Sequence, residues 1–258
     1  MTSTTDLTDS SGFTQAQARR TEVTLASYAG NETPARNGLT DHDPTVRAAA
    51  LSALDRLRTL TSDDVSHALN DVDLRVRRRA CELAALMPVT GGASPEIDRV
   101  LLSYVQTGDE TMAELSAWSL GERHQQQNLG REEDTNPAQA GEIQEQPATE
   151  TDEKASAVEQ AASVVSSDVM EIVHALGETV YHHPDALVRE AAVAALGCIG
   201  TPEAKDPIFH ALGDKATVRR RAVIALAAFE GDDVEAALAQ ATGDRDWQVR
   251  QAAEDLLA

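Results

Sequence analysis

The sequence contains few aromatic residues, two cysteines and no long apolar run, and each shortage excludes a class of protein. Aromatic residues make up 3% of the 258 residues, which is too few for the cores of β-sandwiches and barrels. Without a run of about 18 apolar residues, no transmembrane helix is expected. The polar N-terminus lacks the apolar core of a secretory signal. Cys81 and Cys198 cannot form a disulfide framework, which favours a reducing compartment.

Basic residues are also scarce. The chain carries 22 Lys and Arg residues against 43 Asp and Glu residues, so its formal net charge is −21. Only three of the basic residues are lysines, namely Lys154, Lys205 and Lys215. A strongly negative protein repels nucleic acids and anionic lipids. We therefore expect a cytoplasmic protein that binds neither nucleic acid nor membranes.

What the sequence does contain is an internal repeat. Each copy has an Asp three residues before a Val, an Arg directly after it, and Ala or Leu further on, as in Asp43-Pro44-Thr45-Val46-Arg47. Counted from one pattern residue to the next, the spacings are 30, 36, 76, 30 and 31 residues. The pattern residues, defined here as position 0, are Val46, Val76, Met112, Val188, Val218 and Val249.

Apolar residues at positions 0, +4, +7 and +8 form the stripe of an amphipathic helix, which we call helix B. The Asp at −3 suits an N-cap, because its carboxylate accepts the free amide hydrogens of the first turn. A second set of helix starts, such as Ser94-Pro95 and Thr201-Pro202, lies between the copies and predicts a helix A in each unit. One such pair cannot bury its apolar face alone, so the units are expected to stack as a solenoid.

The pattern Asp-x-x-Val-Arg-x-x-Ala-x-x-Ala-Leu resembles HEAT repeats, of the kind grouped with bilin (phycobilisome) lyase subunits, over residues 33–121 and 166–258. The resemblance implies an all-α fold, an alpha-alpha superhelix (HEAT/armadillo-like solenoid) of about six helix pairs. The same family contains deoxyhypusine hydroxylase, an enzyme that binds two irons through His-Glu dyads. None of the seven histidines here is followed by Glu, so these iron ligands cannot be assigned in this chain.

The segment between the repeat blocks has a different composition. Residues 122–170 contain 11 acidic and 3 basic residues, a composition that buries too little apolar surface to offset the entropy of ordering. The sequence therefore predicts a disordered acidic insert within the solenoid. The predicted organisation is a disordered N-terminus at 1–13, a repeat block at 14–121, an acidic linker at 122–165 and a second repeat block at 166–258.

The arginine at +1 recurs with the repeat and is interpreted as structural, as a ladder that pairs with cap aspartates of adjacent units. The ladder residues are Arg47, Arg77, Arg189, Arg219 and Arg250. Positions +2 and +6 share a helix face and vary between copies, whereas 0, +4 and +8 are nearly always apolar. This variation predicts an open surface along the B helices.

Candidate partner-binding residues lie on or beside that surface. They are Trp118 at +6, Arg78 and Arg220 at +2, and Arg79 and Arg221 at +3. The basic pairs predict docking of an acidic peptide or phosphate; the alternative is that they neutralise nearby carboxylates, including those of the insert. Trp118 is predicted to anchor a partner, or alternatively to cover a packing defect. Trp247 is predicted to pack against helix A of its own unit.

No nucleotide-binding, nucleophile-elbow or Cys-x-x-Cys motif is present. We therefore expect no enzymatic activity, no cofactor and no metal. The sequence favours a monomeric scaffold or adaptor that binds a protein or peptide. A bilin-lyase-like accessory or catalytic role, and a deoxyhypusine-hydroxylase-like oxidoreductase, remain as alternatives that the resemblance implies.

Overall fold

The computed structural model describes residues 6–87, 94–134 and 168–258. Within these ranges the regular secondary structure is helical, without a β-strand. The helices are α1 (Asp6–Tyr28), α2 (Thr33–Gly38), α3 (Pro44–Leu57), α4 (Ser62–Leu69), α5 (Leu74–Ala84), α6 (Ser94–Thr107), α7 (Glu110–Asp134), α8 (168–182), α9 (Ala186–Ile199), α10 (Lys205–Ala211), α11 (Ala216–Ala225), α12 (Asp232–Ala241) and α13 (Trp247–Leu257). Single 3₁₀ turns precede α10 and follow α11, at Pro202–Ala204 and Leu226–Ala228.

After α1, the described helices form six successive A–B pairs, in which even-numbered helices are A and odd-numbered helices are B. This arrangement confirms the predicted all-α repeat fold of about six helix pairs. The apolar stripe of helix B is what holds the pairs together. The residues at position 0 are 0 or 1% exposed in all six copies, and those at +4 are fully buried; they are Val46/Ala50, Val76/Ala80, Met112/Ser116, Val188/Ala192, Val218/Ala222 and Val249/Ala253.

The predicted caps fix where these helices begin. Asp43, Asp73, Asp185 and Asp246 have extended backbones, and each carboxylate accepts the N–H of the residue two positions on. Each thereby satisfies one amide hydrogen that has no partner inside the helix. Gly200 ends α9 in the left-handed conformation, with φ of 66°, which glycine adopts at little steric cost.

The chain divides into two compact units, residues 1–100 and 101–258. In unit 1 the B helices α1, α3 and α5 lie side by side, with α2 and α4 packed against them. The core around α1 and α3 includes Val23, Val46, Ala50 and Leu54. These core side chains lie on one face of the helices, and the opposite face forms a surface.

In unit 2 the B helices follow in the order α7, α9, α11 and α13. Two glycines allow the closest approaches between them. A Cβ on Gly121 of α7 would lie 2.7 Å from Cα of Ala195 on α9, and one on Gly197 would lie 2.7 Å from Cβ of Ala225 on α11. Such distances do not occur between real Cβ atoms, so the helix spacing depends on glycine at both positions.

Element boundaries differ from the predicted organisation in two places. Helix α1 begins at Asp6, inside the segment assigned to a disordered N-terminus, because extending an existing helix adds one hydrogen bond per residue without a new nucleus. Helix α7 continues to Asp134, beyond residue 121, and Arg123 and His124 on it are 1% and 4% exposed. Residues 1–5 and the part of the predicted acidic linker at 135–165 lie outside the described residues.

Candidate partner-binding surface

The surface formed by positions +2 and +6 of the B helices is exposed or half-buried in every copy. It comprises Ala48/Ser52, Arg78/Glu82, Glu114/Trp118, Glu190/Ala194, Arg220/Ile224 and Gln251/Asp255. Because positions 0 and +4 are buried in the same helices, each helix B has one face in the core and one open to solvent. This finding agrees with the predicted open surface, and its use in binding is developed below as a proposal.

In unit 1 this surface forms a groove of about 480 Å³ across three successive B helices. Its floor is made of small residues on α3, namely Thr45, Ala48, Ala49 and Ser52. Five arginines and one glutamate line it together with Thr24; they are Arg20, Arg56, Arg75, Arg78, Arg79 and Glu82. A concentration of arginine therefore occurs in one groove of a chain whose net charge is −21.

The two predicted arginines of unit 1 have different environments. Arg79 donates to Ser52 Oγ and to Glu82 Oε2, both at 2.8 Å. Arg78 is exposed, and within the described part of the chain it has no carboxylate at ion-pair distance. The neutralising alternative therefore describes Arg79, while the charge of Arg78 is available to a ligand.

The same division holds in unit 2. Arg221 lies 3.3 Å from Oε1 of Glu190 on the preceding helix B. Arg220 is exposed, and among the described residues no acid lies within ion-pair distance of its guanidinium. Trp118 is 38% exposed and lies on α7, which is separated from Arg220 on α11 by the intervening helix α9. Arg78 and Arg79 belong to the other unit.

Trp247, predicted to pack against helix A of its own repeat, occupies the first position of α13 and is 64% exposed. There it lines a groove of about 230 Å³ with Arg220 and Ile224 of α11 and Leu256 of α13. A large aromatic side chain and an arginine that has no ion-pair partner among the described residues thus line one groove of unit 2.

Three further residues of the unit 1 groove had no sequence signal in the repeat pattern. Arg19 on α1 donates to Asp41 from Nε at 2.7 Å, as Arg47, Arg189 and Arg219 do to their aspartates, so α1 packs beside α3 as a further inner helix. Its buried residues, Ala16 and Val23, do not follow the repeat register, and Arg20 and Thr24 are its side chains that line the groove. Arg56 donates to Ser27 Oγ at 2.8 Å and lies 4.4 Å above the ring centre of Tyr28. The sequence signal for the packing of α1 is the separation of 22 residues between Arg19 and Asp41, close to the 24 and 25 residues that separate Arg47 from Asp71 and Arg189 from Asp214.

The ladder arginines are placed largely as predicted, but their carboxylate partners are different. Arg47 donates to both oxygens of Asp71 at 2.7 Å, and Arg219 donates to both oxygens of Asp244. These aspartates precede the caps Asp73 and Asp246 by two residues, so the cap carboxylates themselves stay with the helix amides. Arg189 pairs with Asp214 in the same way.

A second contact recurs at the ladder. One guanidinium nitrogen of each arginine donates at 2.7–2.8 Å to a backbone carbonyl in the turn before its own helix; the pairs are Arg47–Asp41, Arg77–Asp71, Arg189–His183, Arg219–Asp214 and Arg250–Asp244. These contacts satisfy carbonyls that have no helical partner. Arg47, Arg189 and Arg219 also bind an aspartate of the next helix pair, and these bonds fix the register between successive pairs.

The ladder makes folding stability depend on pH. The hydrogen bond from its arginine lowers the pKa of Asp41, Asp214 and Asp244, and Arg75 lowers the pKa of Asp73 to about 2. Since unfolded aspartate titrates near about 4, the unfolded chain binds more protons in acid. The stabilisation is therefore complete above about pH 5 and is lost as pH falls from about 4 towards about 2.

We expect urea titrations to give similar free energies of unfolding at pH 6 and pH 7 and a clearly lower value at pH 3. Asp244→Asn removes one of the responsible carboxylates, so its stability should depend less steeply on pH. Equal stability of the wild-type protein at pH 6 and pH 3 would contradict the role assigned to these ion pairs.

Among the described residues, no group of three His, Cys, Asp or Glu side chains is placed to hold a metal ion. Cys81 is buried and Cys198 is half-buried, and burial raises the pKa of the Cys198 thiol.

In the described ranges, no helix combines the length and apolar character that crossing a bilayer requires.

Comparisons with known proteins agree with the repeat architecture. The family profile described as HEAT repeats matches residues 147–223 and 173–258. Among curated protein sequences, none matches this chain. The Escherichia coli protein YibA is similar in structure, with a TM-score of 0.54 and 15% identity over 88% of this chain and 70% of that one.

Two designed armadillo repeat proteins are similar to the same extent. One has a TM-score of 0.52 and 15% identity, covering 86% of this chain and 97% of its own. The other, solved in complex with the peptide (KR)4, has a TM-score of 0.53 and 15% identity, covering 86% and 96%. The C-terminal part of the chain, from residue 147, thus matches the HEAT-repeat family, and the fold is that of HEAT and armadillo repeat proteins.

Proposed function

We propose that this protein is a non-catalytic scaffold or adaptor that binds a protein or peptide along the exposed surface of its B helices. The observation that carries the proposal is the pairing of a buried, repeated face with an exposed, variable face on the same helices. Core packing explains the repeated face. The exposed face carries Trp118, Trp247, Arg78 and Arg220, side chains of the kinds that dominate protein interfaces.

The proposed contacts extend the predicted set by one residue. Trp118 and Trp247 supply apolar anchors, and Arg78 and Arg220 supply charges that no described carboxylate neutralises. Arg79 and Arg221 form ion pairs with Glu82 and Glu190, and these pairs hold their side chains in place beside the surface. The fold supports this use, because a designed armadillo protein of similar structure holds a peptide. Membership of the bilin-lyase-like subgroup, location in the cytoplasm and a monomeric state remain predictions.

The experiment that tests the function is selection of a phage-displayed library of random dodecapeptides on the purified full-length protein. We expect selected peptides to bind with measurable affinity by isothermal titration calorimetry. Trp118→Ala and Trp247→Ala are each expected to weaken peptides that contact them by about 2 kcal/mol, because a buried aromatic anchor contributes about that much. Failure to select any peptide would refute the proposal, and so would selected peptides that bind the wild type and both Trp variants with equal affinity.

Val72→Ala is the matched control for this experiment. Val72 is 92% exposed and lies in the turn before α5, away from positions +2 and +6, so its replacement should leave peptide affinity unchanged. The melting temperatures of the Trp variants should also remain close to that of the wild type. A large fall in melting temperature for Trp118→Ala would instead support the alternative in which this residue fills a packing defect.

A further inference from the structure

We infer that the unit 1 groove recognises a short acidic peptide segment, which rests on the proposed function and specifies the chemistry of the partner there. The groove is lined by five arginines and one glutamate. Ion pairs already compensate two of these arginines, because Arg75 lies 3.0 Å from Asp73 and Arg79 lies 2.8 Å from Glu82. The other three arginines, Arg20, Arg56 and Arg78, determine which charge the groove attracts.

Within the described ranges, those three arginines have no acidic partner. Arg56 is held by neutral groups, the Ser27 hydroxyl and the Tyr28 ring. Arg20 and Arg78 are exposed, and in the described part of the chain neither has a carboxylate within ion-pair distance. On a chain with twice as many acids as bases, three uncompensated arginines in one groove form a local site for negative charge.

The positions of these residues define the length of the ligand. Arg20 lies on α1 and Arg78 on α5, and both helices pack on α3, which carries Ala48. Neighbouring helices pack about 9 Å apart, so the two outer helices are about 18 Å apart. An extended peptide advances about 3.3 Å per residue and crosses this distance in about six residues. Small side chains at Ala48, Ala49 and Ser52 leave room for its backbone.

The charge distribution favours an acidic peptide over a nucleic acid. A peptide of about six residues is confined to the groove, whereas a nucleic acid continues beyond it. Its phosphates would then meet the rest of a chain with a net charge of −21, which repels them.

The probe for this inference is a fluorescein-labelled octapeptide with Glu at alternate positions and Ala between them, followed by fluorescence anisotropy with the full-length protein. We expect saturable binding that weakens as salt rises from 50 to 300 mM, because the contacts are between charges. The same peptide with Gln in place of Glu is expected to bind at least tenfold more weakly. Equal binding of the Glu and Gln peptides would overturn the inference.

Matched arginine variants locate the site. Arg20→Gln and Arg78→Gln are each expected to weaken the Glu peptide about tenfold. Arg58→Gln removes the same charge from unit 1 outside the groove, since Arg58 is exposed at the end of α3 and does not line it, and it should leave binding unchanged. If Arg58→Gln weakens binding as much as Arg78→Gln, the attraction is non-specific and the inference is wrong.

Other occupants of the groove give different results. Tighter binding of a single-stranded oligothymidylate, with the same dependence on Arg78, would assign the groove to nucleic acid. A mass that rises with protein concentration in light scattering, and that Arg78→Gln restores to a monomer, would assign it to a second copy. Peptide binding that occurs only after the five acids in residues 142–153 are changed to Gln would assign it to the chain's own insert. Each result would overturn the inference.

These outcomes are distinguishable from failure of the proposed function. Dodecapeptides that depend on Trp118, Trp247 or Arg220 but contain no acidic residues would support the scaffold function while contradicting the acidic preference of unit 1. Binding of the Glu octapeptide that depends on Arg20 and Arg78 supports the inference.

Discussion

Asp244→Ala is expected to lower the free energy of unfolding of unit 2 by about 3 kcal/mol, which is the cost of leaving a buried charge without its partner. The Arg219 side chain is 6% exposed and that of Asp244 is 16% exposed. Arg219 donates to both carboxylate oxygens, at 2.9 and 2.7 Å. Alanine leaves these two donors in a site that water reaches poorly. Urea denaturation followed by circular dichroism measures the loss.

Two control variants separate the possible causes. Asp233→Ala breaks the 2.7 Å ion pair with Lys205 at a site where Asp233 is 56% exposed, and exposed pairs contribute little, so the change should be much smaller. Asp244→Asn keeps an acceptor for the Asp246 N–H, at 2.7 Å in the wild type, and removes only the charge. It should lie between wild type and Asp244→Ala. If Asp244→Ala is no worse than Asp233→Ala, the ladder does not stabilise the stack.

Gly121→Ala is expected to destabilise unit 2 by about 2 kcal/mol, even though alanine is a better helix former by about 1 kcal/mol. The added Cβ would lie 2.7 Å from Cα of Ala195, a backbone atom that cannot move without displacing α9. The helices α7 and α9 must therefore separate, with loss of packing along their length. The same urea titration measures the effect.

Gly177→Ala is the matched control, because this glycine also lies inside a helix. A Cβ there would be 3.5 Å from Cγ of Pro207, an ordinary contact. Helix propensity then dominates, and we expect stabilisation of up to about 1 kcal/mol. The two glycine variants should therefore change stability in opposite directions. Stabilisation by Gly121→Ala would mean that α7 and α9 do not pack as closely as described.

Much of the fold could be predicted because its signals are local. The stripe at 0, +4, +7 and +8, the aspartate caps and Gly200 each act within one helix or its adjoining turn. The exposed row at +2 and +6 followed from the same periodicity, since burial of one helix face leaves the other open. For these features, the spacing of residues in the sequence is enough to determine which side chains share a helix face and where the helix begins or ends.

Part of the candidate surface could not be predicted because it depends on which helices pack side by side. Trp247 is four residues before Gln251 on α13, but the groove that it lines also includes Arg220 and Ile224 of α11. Arg20 joins Arg78 only because α1 packs on α3, which in turn packs on α5. Without the pattern valine, α1 gave no sign of this role in the periodicity of the sequence.

The sequence by itself determined that the chain is a repeat of capped, amphipathic helix pairs, because hydrogen bonding and helical periodicity act over three or four residues. The tertiary structure decided which charges are compensated. Arg79 and Arg221 found glutamates, Arg47 and Arg219 found aspartates two residues before the caps, and Arg78 and Arg220 found none among the described residues. Coulombic pairing depends on distances between helices that are far apart in sequence, and these distances exist only once the pairs have stacked.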